Sequence, residues 1–345
     1  MRAVSGAPFA LGLVIALVSA ATFGSSGTFG TALMATGWSP GAVVTARIVG
    51  AALLLAGPAA LAMRGRWHLL RPNLGRILAY GVFAVAGCQF AYFMAVDRLS
   101  VGVALLLEYL APVIIVGWLW ARHGRRPSVL TAGGVVAAVV GLVLVLDVTS
   151  AVGVDLVGVL WGLCAAVGLV VFFVAAAHGD DALPPISLAG GGLLVGALGL
   201  LAGVGTGLLP WSASTHDVVL AGWSAPWWSA ALELALFAGA IAYATGIAAT
   251  RVLGSTVASF VGLSEVLMAI AFAWVLVGEE MSPVQLLGGV AILAGVVAVK
   301  LGEGGDPHPA EPAEGIGVAD VAEPALRGLE DPAADRGLVD SARLD

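Results

Sequence analysis

Apolar runs of about twenty residues, each bounded by charges, prolines or polar clusters, recur along this chain. They cover residues 9–30, 41–63, 75–96, 99–121, 128–147, 156–177, 186–209, 229–250, 255–277 and 284–301. A helix of about 20 apolar residues crosses the roughly 30 Å hydrocarbon core of a bilayer. The pattern therefore predicts an all-α integral membrane protein with ten transmembrane helices.

The composition supports this prediction. The chain is 60% hydrophobic and 11% charged, with a mean hydropathy of +1.02, whereas a soluble domain has about 25% charged residues. The net charge of -7 belongs to residues 302–345, which hold eleven acids and three arginines. This segment is rich in Pro, Gly, Glu and Asp and cannot bury a core, so we expect a disordered acidic cytoplasmic tail.

Basic residues between the spans fall on one side of the predicted membrane. One set of loops holds Arg2, Arg64, Arg66, Arg71, Arg76, Arg122, Arg125, Arg126, Arg251 and Lys300, and the other set holds Arg98. Positive residues near helix ends stay on the cytoplasmic side. We therefore expect a multi-pass protein of the cell membrane with both termini in the cytoplasm. The longest outer loop carries four tryptophans, typical of an interfacial aromatic belt.

The chain contains an internal repeat. A shift of 154 residues places Ser128 on Ser282, Gly134 on Gly288 and Gly141 on Gly295, and it places Arg125 and Arg126 on Glu279 and Glu280. The matched loop is basic in one copy and acidic in the other, as expected if the copies have opposite orientations. We predict two five-helix inverted repeats, residues 1–148 and 149–301, followed by the tail, residues 302–345.

Two acidic residues lie deep inside predicted spans. Glu108 is about nine residues from the outer end of the fourth span, and Glu265 is about ten residues from the inner end of the ninth. Opposite orientations bring both near the midplane, where inverted-repeat transporters bind substrates and ions. Each acid is either a group that binds an amine or a proton, or a protonated group hydrogen-bonded to the backbone, Tyr92 or Tyr243.

Further candidates for substrate or proton binding surround these acids. Tyr109 follows Glu108, and Pro112 lies one helical turn beyond it, where it frees a backbone carbonyl or only kinks the helix. Arg47, in the second span, either reaches Glu108 or a substrate carboxylate, or extends to the outer headgroups. Glu233 lies nearer the surface.

The sequence contains no motif typical of other classes of function. The sequence contains no phosphate-binding loop, no paired-histidine zinc motif and no nucleophile elbow, so it predicts no enzyme, cofactor or metal site. Cys88 and Cys164 lie in apolar runs and are expected to be small buried residues. The short basic loops are explained by topology and do not indicate nucleic-acid binding.

The sequence resembles a known transporter family. The stretches "DRLSVGVALLLEYLAPV", "RVLGSTVASFVGLSEVLMAIAFAWVLVGEEMSPVQLLGGVAILAGVVAV", "SSGTFG" and "TARIVGAALLLAG" are similar to the EamA family of the drug/metabolite transporter superfamily. The resemblance covers about residues 9–301 and implies ten helices in two inverted repeats that carry small metabolites. "LLLEYLAP" looks like the threonine and homoserine exporter branch.

We therefore expect a secondary transporter that exports small amino acids or related metabolites by alternating access, with proton antiport at Glu108 as a candidate driving reaction. The alternatives are an importer of the same fold, a membrane-embedded enzyme and a partner-binding scaffold. An enzyme would need catalytic groups clustered at one interface, whereas these acids lie at the predicted midplane. The expected partners are a small-molecule substrate and the lipid bilayer, and a second copy of the chain, in a homodimer, is a further candidate.

Overall fold

The protein is a bundle of helices. The computed structural model describes residues 6–111, 113–114, 128–146, 155–177 and 183–304. Its helices are α1 (Gly6–Met34), α2 (Pro40–Ala62), α3 (Leu70–Ala79), α4 (Cys88–Val96), α5 (Val101–Glu108), α6 (Val129–Val145), α7 (Leu156–Ala177), α8 (Pro185–Gly205), α9 (Trp227–Ala235), α10 (Ala242–Gly262), α11 (Ser264–Phe272) and α12 (Pro283–Gly304). We call α1–α6 the first half and α7–α12 the second half.

Seven helical stretches in the described residues are long and apolar enough to cross a membrane. They are Phe9–Met34, Pro40–Ala62, Trp67–Val96, Pro185–Gly205, Trp227–Gly254, Phe260–Val277 and Pro283–Gly302, and two shorter apolar helices cover Val129–Val145 and Leu156–Phe172. Large apolar side chains such as Leu53, Leu160 and Trp274 are exposed on the bundle surface, as expected where lipid replaces water. The predicted membrane-protein class is confirmed. The second part of the predicted fourth span, from residue 115, and the tail from residue 305 lie outside the described residues.

Three π-helical segments interrupt the apolar helices in the part of the chain that the structure describes. Tyr80–Gly87 joins α3 to α4, Leu236–Ile241 joins α9 to α10, and Ala273–Val277 follows α11. A π-turn leaves the regular pattern of backbone hydrogen bonds and often marks a functional position. The first two segments occupy matching places in the two halves, since a shift of 154 residues carries Gly87 onto Ile241.

Helix starts follow local sequence. The hydroxyl oxygen of Ser128 accepts a hydrogen bond from the backbone N–H of Thr131 at 3.1 Å. At the equivalent place in the second half, Ser282 and Gln285 each accept a bond from the other's backbone N–H, at 3.2 and 3.0 Å. This reciprocal arrangement satisfies two amides at the helix start.

Helices α6 and α12 pack tightly through glycines. A Cβ atom on Gly134 would lie 2.6 Å from the carbonyl oxygen of Gly295, and one on Gly141 would lie 2.6 Å from that of Gly288. The residue number rises on one helix as it falls on the other, so the two helices run antiparallel. Glycine permits this backbone approach because it has no side chain to separate the helices.

The remaining contacts between the halves are reciprocal. In the first half, α1 packs on α10 and α11, and α2 packs on α9. In the second half, α7 packs on α4 and α5, and α8 packs on the π-helical segment before α4. Each half therefore packs its first two helices against the middle helices of the other, and α2 also packs directly on α8.

Gly254 interrupts α10. Its φ of 79° and ψ of 158° are non-helical, and glycine adopts this region without a steric penalty. The sequence places the boundary between the eighth and ninth spans at residues 250–255, so the break agrees with that boundary.

The longest loop predicted to lie outside forms a short hairpin that the sequence did not predict. Strand β1 (Val218–Leu220) pairs antiparallel with β2 (Trp223–Ala225). The backbone N–H of Ala221 in the turn donates to the carbonyl of Leu276 at 2.6 Å. In this loop Trp211, Trp223 and Trp228 are exposed. Their exposure is what an interfacial belt requires.

Candidate functional site

One cavity brings together both deep acids predicted from the sequence. It has a volume of about 70 Å³, and Glu108 and Glu265 both line it. The first acid ends α5 and the second lies in the first turn of α11, so each half contributes one. Small residues on α1 and α10, including Ala16 and Gly246, leave the space between the helices.

Glu108 is buried and accepts a hydrogen bond from a thiol. The Sγ atom of Cys88 lies 3.4 Å from Oε1 of Glu108 and 3.3 Å from the carbonyl oxygen of Ala165. The thiol has one proton and is a weak donor, so it supplies little stabilisation for an ionised carboxylate. The expectation of a small buried residue is confirmed for Cys88, whereas Cys164 is exposed. The expectation that Cys88 is only a small buried residue does not predict its contact with Glu108.

Glu265 accepts a stronger hydrogen bond from Tyr109. The tyrosine hydroxyl lies 2.9 Å from Oε2 of Glu265 and 2.9 Å from the carbonyl oxygen of Gly262. Its single proton serves one acceptor at a time. The contact links α5 of the first half to α11 of the second. The alternative partners Tyr92 and Tyr243 make no hydrogen bond to either acid among the described residues.

Arg47 lies inside the bundle behind the cavity wall. Its side chain is fully buried, so it is not exposed toward the headgroups as one alternative expected. One terminal nitrogen donates to Oε1 of Gln89, and the other donates to the carbonyl oxygen of Ala238 at 2.6 Å. The guanidinium also lies 5.8 Å from the ring centres of both Phe23 and Phe93.

The hydrogen-bond partners of Arg47 indicate that it supports the cavity wall and does not pair with Glu108. No ion pair joins it to Glu108 in the described structure, and it does not itself line the cavity, whereas its partners Gln89 and Phe23 do. Ala238 lies in a π-helical segment. The arginine therefore fixes the cavity wall and the segment behind it. Gln89 is an uncharged polar residue in a predicted apolar span, and that polarity is the signal that could have identified it.

Glu233 is separate from the cavity. Its Oε1 accepts a hydrogen bond from the Ser25 hydroxyl at 2.5 Å. Its Oε2 is buried and has no hydrogen-bond partner among the described residues. The remaining candidate, Pro112, lies outside the described residues.

A third acid joins the halves outside the predicted spans. Oε2 of Glu279 accepts a hydrogen bond from the backbone N–H of Val101 at 2.9 Å, at the start of α5. Burial raises the pKa of the Glu279 carboxyl, and the Val101 bond partly opposes that increase. Carboxylates stabilise helix N-termini because they accept from unpaired N–H groups there.

The chemistry of the cavity suits a cation or a proton. Two carboxyl groups face a small, largely apolar space and are bonded to neutral donors, and an added positive charge would satisfy them. No group of three or more histidines, cysteines or acids that could hold a metal ion occurs in the part of the chain that the structure describes. The cavity is therefore suited to an ammonium group or to protonation.

Comparisons with known proteins agree with this picture. Residues 10–147 and 156–301 each match the model of the EamA-like transporter family. The chain is 22% identical over 308 residues to the "Uncharacterized inner membrane transporter YicL" of Salmonella typhimurium, covering 84% of this chain and 95% of that protein. A solved crystal structure of another protein superposes with a TM-score of 0.55 at 21% identity, covering 84% of this chain and 96% of the other, and it supports the fold.

The matched regions include the helices that carry Glu108, Glu265 and Arg47, and they extend over most of the sequence. The resemblance expected from the sequence is confirmed at the level of the family. The protein is a multi-pass membrane transporter and not an enzyme. The chain belongs to the EamA-like transporter family.

Proposed function

We propose that this protein is a secondary transporter that exports small amino acids or related metabolites by alternating access. The observation that carries the proposal is the pair of acids, Glu108 and Glu265, which come from different halves and line one cavity. Substrate ammonium groups are suited to buried carboxylates, because a charge in low dielectric needs an opposite charge or a proton. The likeness of "LLLEYLAP" to threonine and homoserine exporters favours amino acids and export.

The proposed architecture is ten transmembrane helices in two inverted five-helix repeats. Its support is the reciprocal packing of the halves, the paired glycines of α6 and α12, and the matching serine caps. Alternating access then follows from movement of one half against the other around the shared cavity.

The inverted arrangement and the cytoplasmic termini are tested together by cysteine labelling. The variants carry one cysteine beside Arg125 or beside Glu279, in a background without Cys88 and Cys164. An impermeant thiol reagent added to intact cells should label the second site and not the first, since the two loops lie on opposite sides. Labelling of both sites from outside would disprove the inverted repeats.

A proton exchanged at Glu108 is the proposed driving reaction. The acid is buried, and a thiol is the hydrogen-bond donor beside it. We propose that it releases its proton to the cytoplasm when the substrate ammonium arrives from that side, and that it takes up a proton from the outer side when the substrate leaves. Export would then be driven by proton entry.

Export itself is tested with cells loaded with amino acids. Cells expressing the wild-type protein should tolerate toxic amounts of an exported amino acid and release it faster than cells without it. Glu265→Gln should lower release by about tenfold or more, the range expected when a charge-assisted hydrogen bond is lost. The matched control is Glu280→Gln, which removes an exposed acid outside the cavity and should leave release unchanged.

Three outcomes would contradict the proposal. Equal release from wild-type and Glu265→Gln cells would show that transport does not need the Glu265 carboxylate. Equal loss in both glutamine variants would indicate a general effect of lost negative charge. Faster uptake in place of release, measured in right-side-out and inverted vesicles, would make the protein an importer.

A further inference from the structure

The cavity is lined by polar groups of two kinds. Glu108 and Glu265, on α5 and α11, carry acidic groups, whereas Gln89 on α4 and Tyr243 on α10 carry neutral donors. A substrate that contained only an ammonium group would use the acids and leave the donors without a partner. The neutral donors therefore indicate what the substrate carries in addition to its ammonium group.

Arg47 determines which end of the Gln89 carboxamide is free. Arginine only donates hydrogen bonds, so the atom that it contacts must be the acceptor oxygen Oε1. The amide NH₂ group has two protons to donate: one is directed toward the oxygen of Tyr243, which interacts with Gln89, and the other is left for a ligand. Because Arg47 is fully buried and also bonded to Ala238, it holds this orientation firmly.

Tyr243 contributes a second donor. Its side chain is 1% exposed, and the proton of its hydroxyl has no acceptor among the described residues. The ring is held edge-on against Phe23, with the ring centres 5.0 Å apart, and it also lies against Phe172 at 6.2 Å. A buried donor without an acceptor costs free energy, and that cost is recovered when a ligand supplies one.

The hydroxyls of Ser19 and Thr250 also line the cavity, but their protons are already used. Ser19 donates to the carbonyl oxygen of Ala242 at 3.0 Å, and Thr250 donates to that of Gly246 at 2.9 Å. Gln89 and Tyr243 therefore remain as the donors available to a ligand.

We infer that Gln89 and Tyr243 form a subsite for the carboxylate of a zwitterionic substrate, with Arg47 as the positioning residue behind them. The inference rests on the proposed amino-acid transport and assigns the substrate's two ends. The ammonium group lies toward Glu108 and Glu265, which repel a carboxylate, and the carboxylate lies toward the neutral donors. The positive charge of Arg47 behind the wall favours the same orientation, because charges interact strongly in low dielectric.

Binding of matched ligands to the purified protein tests this subsite. The probes are L-threonine, its methyl ester, which lacks the negative charge, and 3-hydroxybutyrate, which lacks the ammonium group. Titration calorimetry gives the affinity for each. The wild-type protein should bind threonine about tenfold or more tightly than the ester, as expected for hydrogen bonds to a charged group, and should bind 3-hydroxybutyrate weakly.

The variants should change this preference in a defined way. Tyr243→Phe and Gln89→Leu should weaken threonine binding about tenfold each and leave ester binding unchanged, which also demonstrates that each variant is folded. Gln89→Glu should reverse the preference, because its carboxylate repels that of threonine. Arg47→Met should reduce the threonine-to-ester ratio by releasing Gln89. The control Cys164→Ser, at an exposed position of α7, should behave as the wild type.

The outcomes distinguish two kinds of failure. If the wild type prefers threonine and both Tyr243→Phe and Gln89→Glu keep that preference, the carboxylate subsite is wrong and amino-acid transport stands. If the wild type binds neither threonine nor its ester, the proposed substrate class is wrong, and the subsite inference fails with it.

Discussion

The α6–α12 contact and the cavity are built in opposite ways. At the contact the two halves contribute the same residues, since Gly134 meets Gly295 and Gly141 meets Gly288. At the cavity the halves differ: the first contributes Gln89, Glu108 and, behind the wall, Arg47, and the second contributes Glu265 and Tyr243. Symmetric packing and asymmetric chemistry thus coexist in one bundle.

This difference follows from what each region must do. Close packing of two helices needs only a backbone without side chains, which both halves can supply equally. A small zwitterion has two unlike ends, so a site that orients it needs unlike groups around it. Repeated sequence is therefore expected to persist in the contact and to diverge in the cavity.

The largest predicted effect is on the symmetric contact. Gly134→Ala places a Cβ atom 2.6 Å from the carbonyl oxygen of Gly295, so the backbones of α6 and α12 must separate. We expect a loss of about 1–3 kcal/mol in the free energy of unfolding, typical of overpacking. Thermal unfolding of the purified protein measures it.

Gly133→Ala is the matched control, because a Cβ atom at Gly133 has no neighbour within 4 Å. It should leave the unfolding temperature nearly unchanged. If both alanine variants unfold at the same temperature, the close contact does not hold α6 and α12 together.

An effect of similar or smaller size is predicted for the hydrogen bonds of the two acids. Tyr109→Phe removes the donor of Glu265 and should cost about 1–3 kcal/mol, since a buried acceptor loses its partner. Cys88→Ala removes the thiol beside Glu108 and should cost less, because the thiol is a weak donor. Unfolding and transport are measured on both variants. A larger loss of stability in Cys88→Ala would contradict the assignment of the stronger bond to Glu265.

The smallest effect is predicted where the halves meet at an exposed ion pair. The Arg98 guanidinium lies 3.2 Å from the carboxylate of Asp155, and both side chains are more than a third exposed. The hydrogen bond from the backbone N–H of Gly158 lowers the pKa of Asp155 below its ordinary value, and Arg98 lowers it further. A lowered pKa in the folded state adds stability above the ordinary pKa and loses it as the pH falls through the lowered value.

Asp155→Asn tests this pair. The variant should unfold slightly more easily than the wild type at neutral pH, and the two should converge in acid. Unfolding temperatures measured across the acid range provide the comparison. A difference that grows in acid would have the wrong sign for a lowered pKa.

The sequence predicts the parts of the fold that depend on local pattern. Apolar run lengths identify the helical membrane class, and the depth of Glu108 and Glu265 along their runs anticipates that both reach one cavity. The serine at the start of α6 and its counterpart before α12 are recognisable caps. These features depend on residues near one another in the chain.

The parts that the sequence missed depend on distant contacts. The bond from Arg47 to Gln89, the bond from Tyr109 to Glu265 and the hairpin turn at Ala221 against Leu276 join residues more than forty positions apart. Helical periodicity does not encode which faces of different helices meet. Of the alternatives expected for Arg47, contact with Glu108 does not occur for this reason: both residues lie at suitable depths, but the guanidinium donates to Gln89 and Ala238 instead.

The central claim is that the charge of Glu108 changes during transport, and Glu108→Gln tests it most directly. Purified wild-type and variant proteins are placed in sealed vesicles, and L-threonine movement is measured under an imposed pH gradient, with Glu280→Gln as the control. The variant should still exchange threonine across the membrane, but the pH gradient should no longer drive its accumulation, because glutamine does not titrate. Accumulation by Glu108→Gln with the rate and pH dependence of the wild type would contradict the claim.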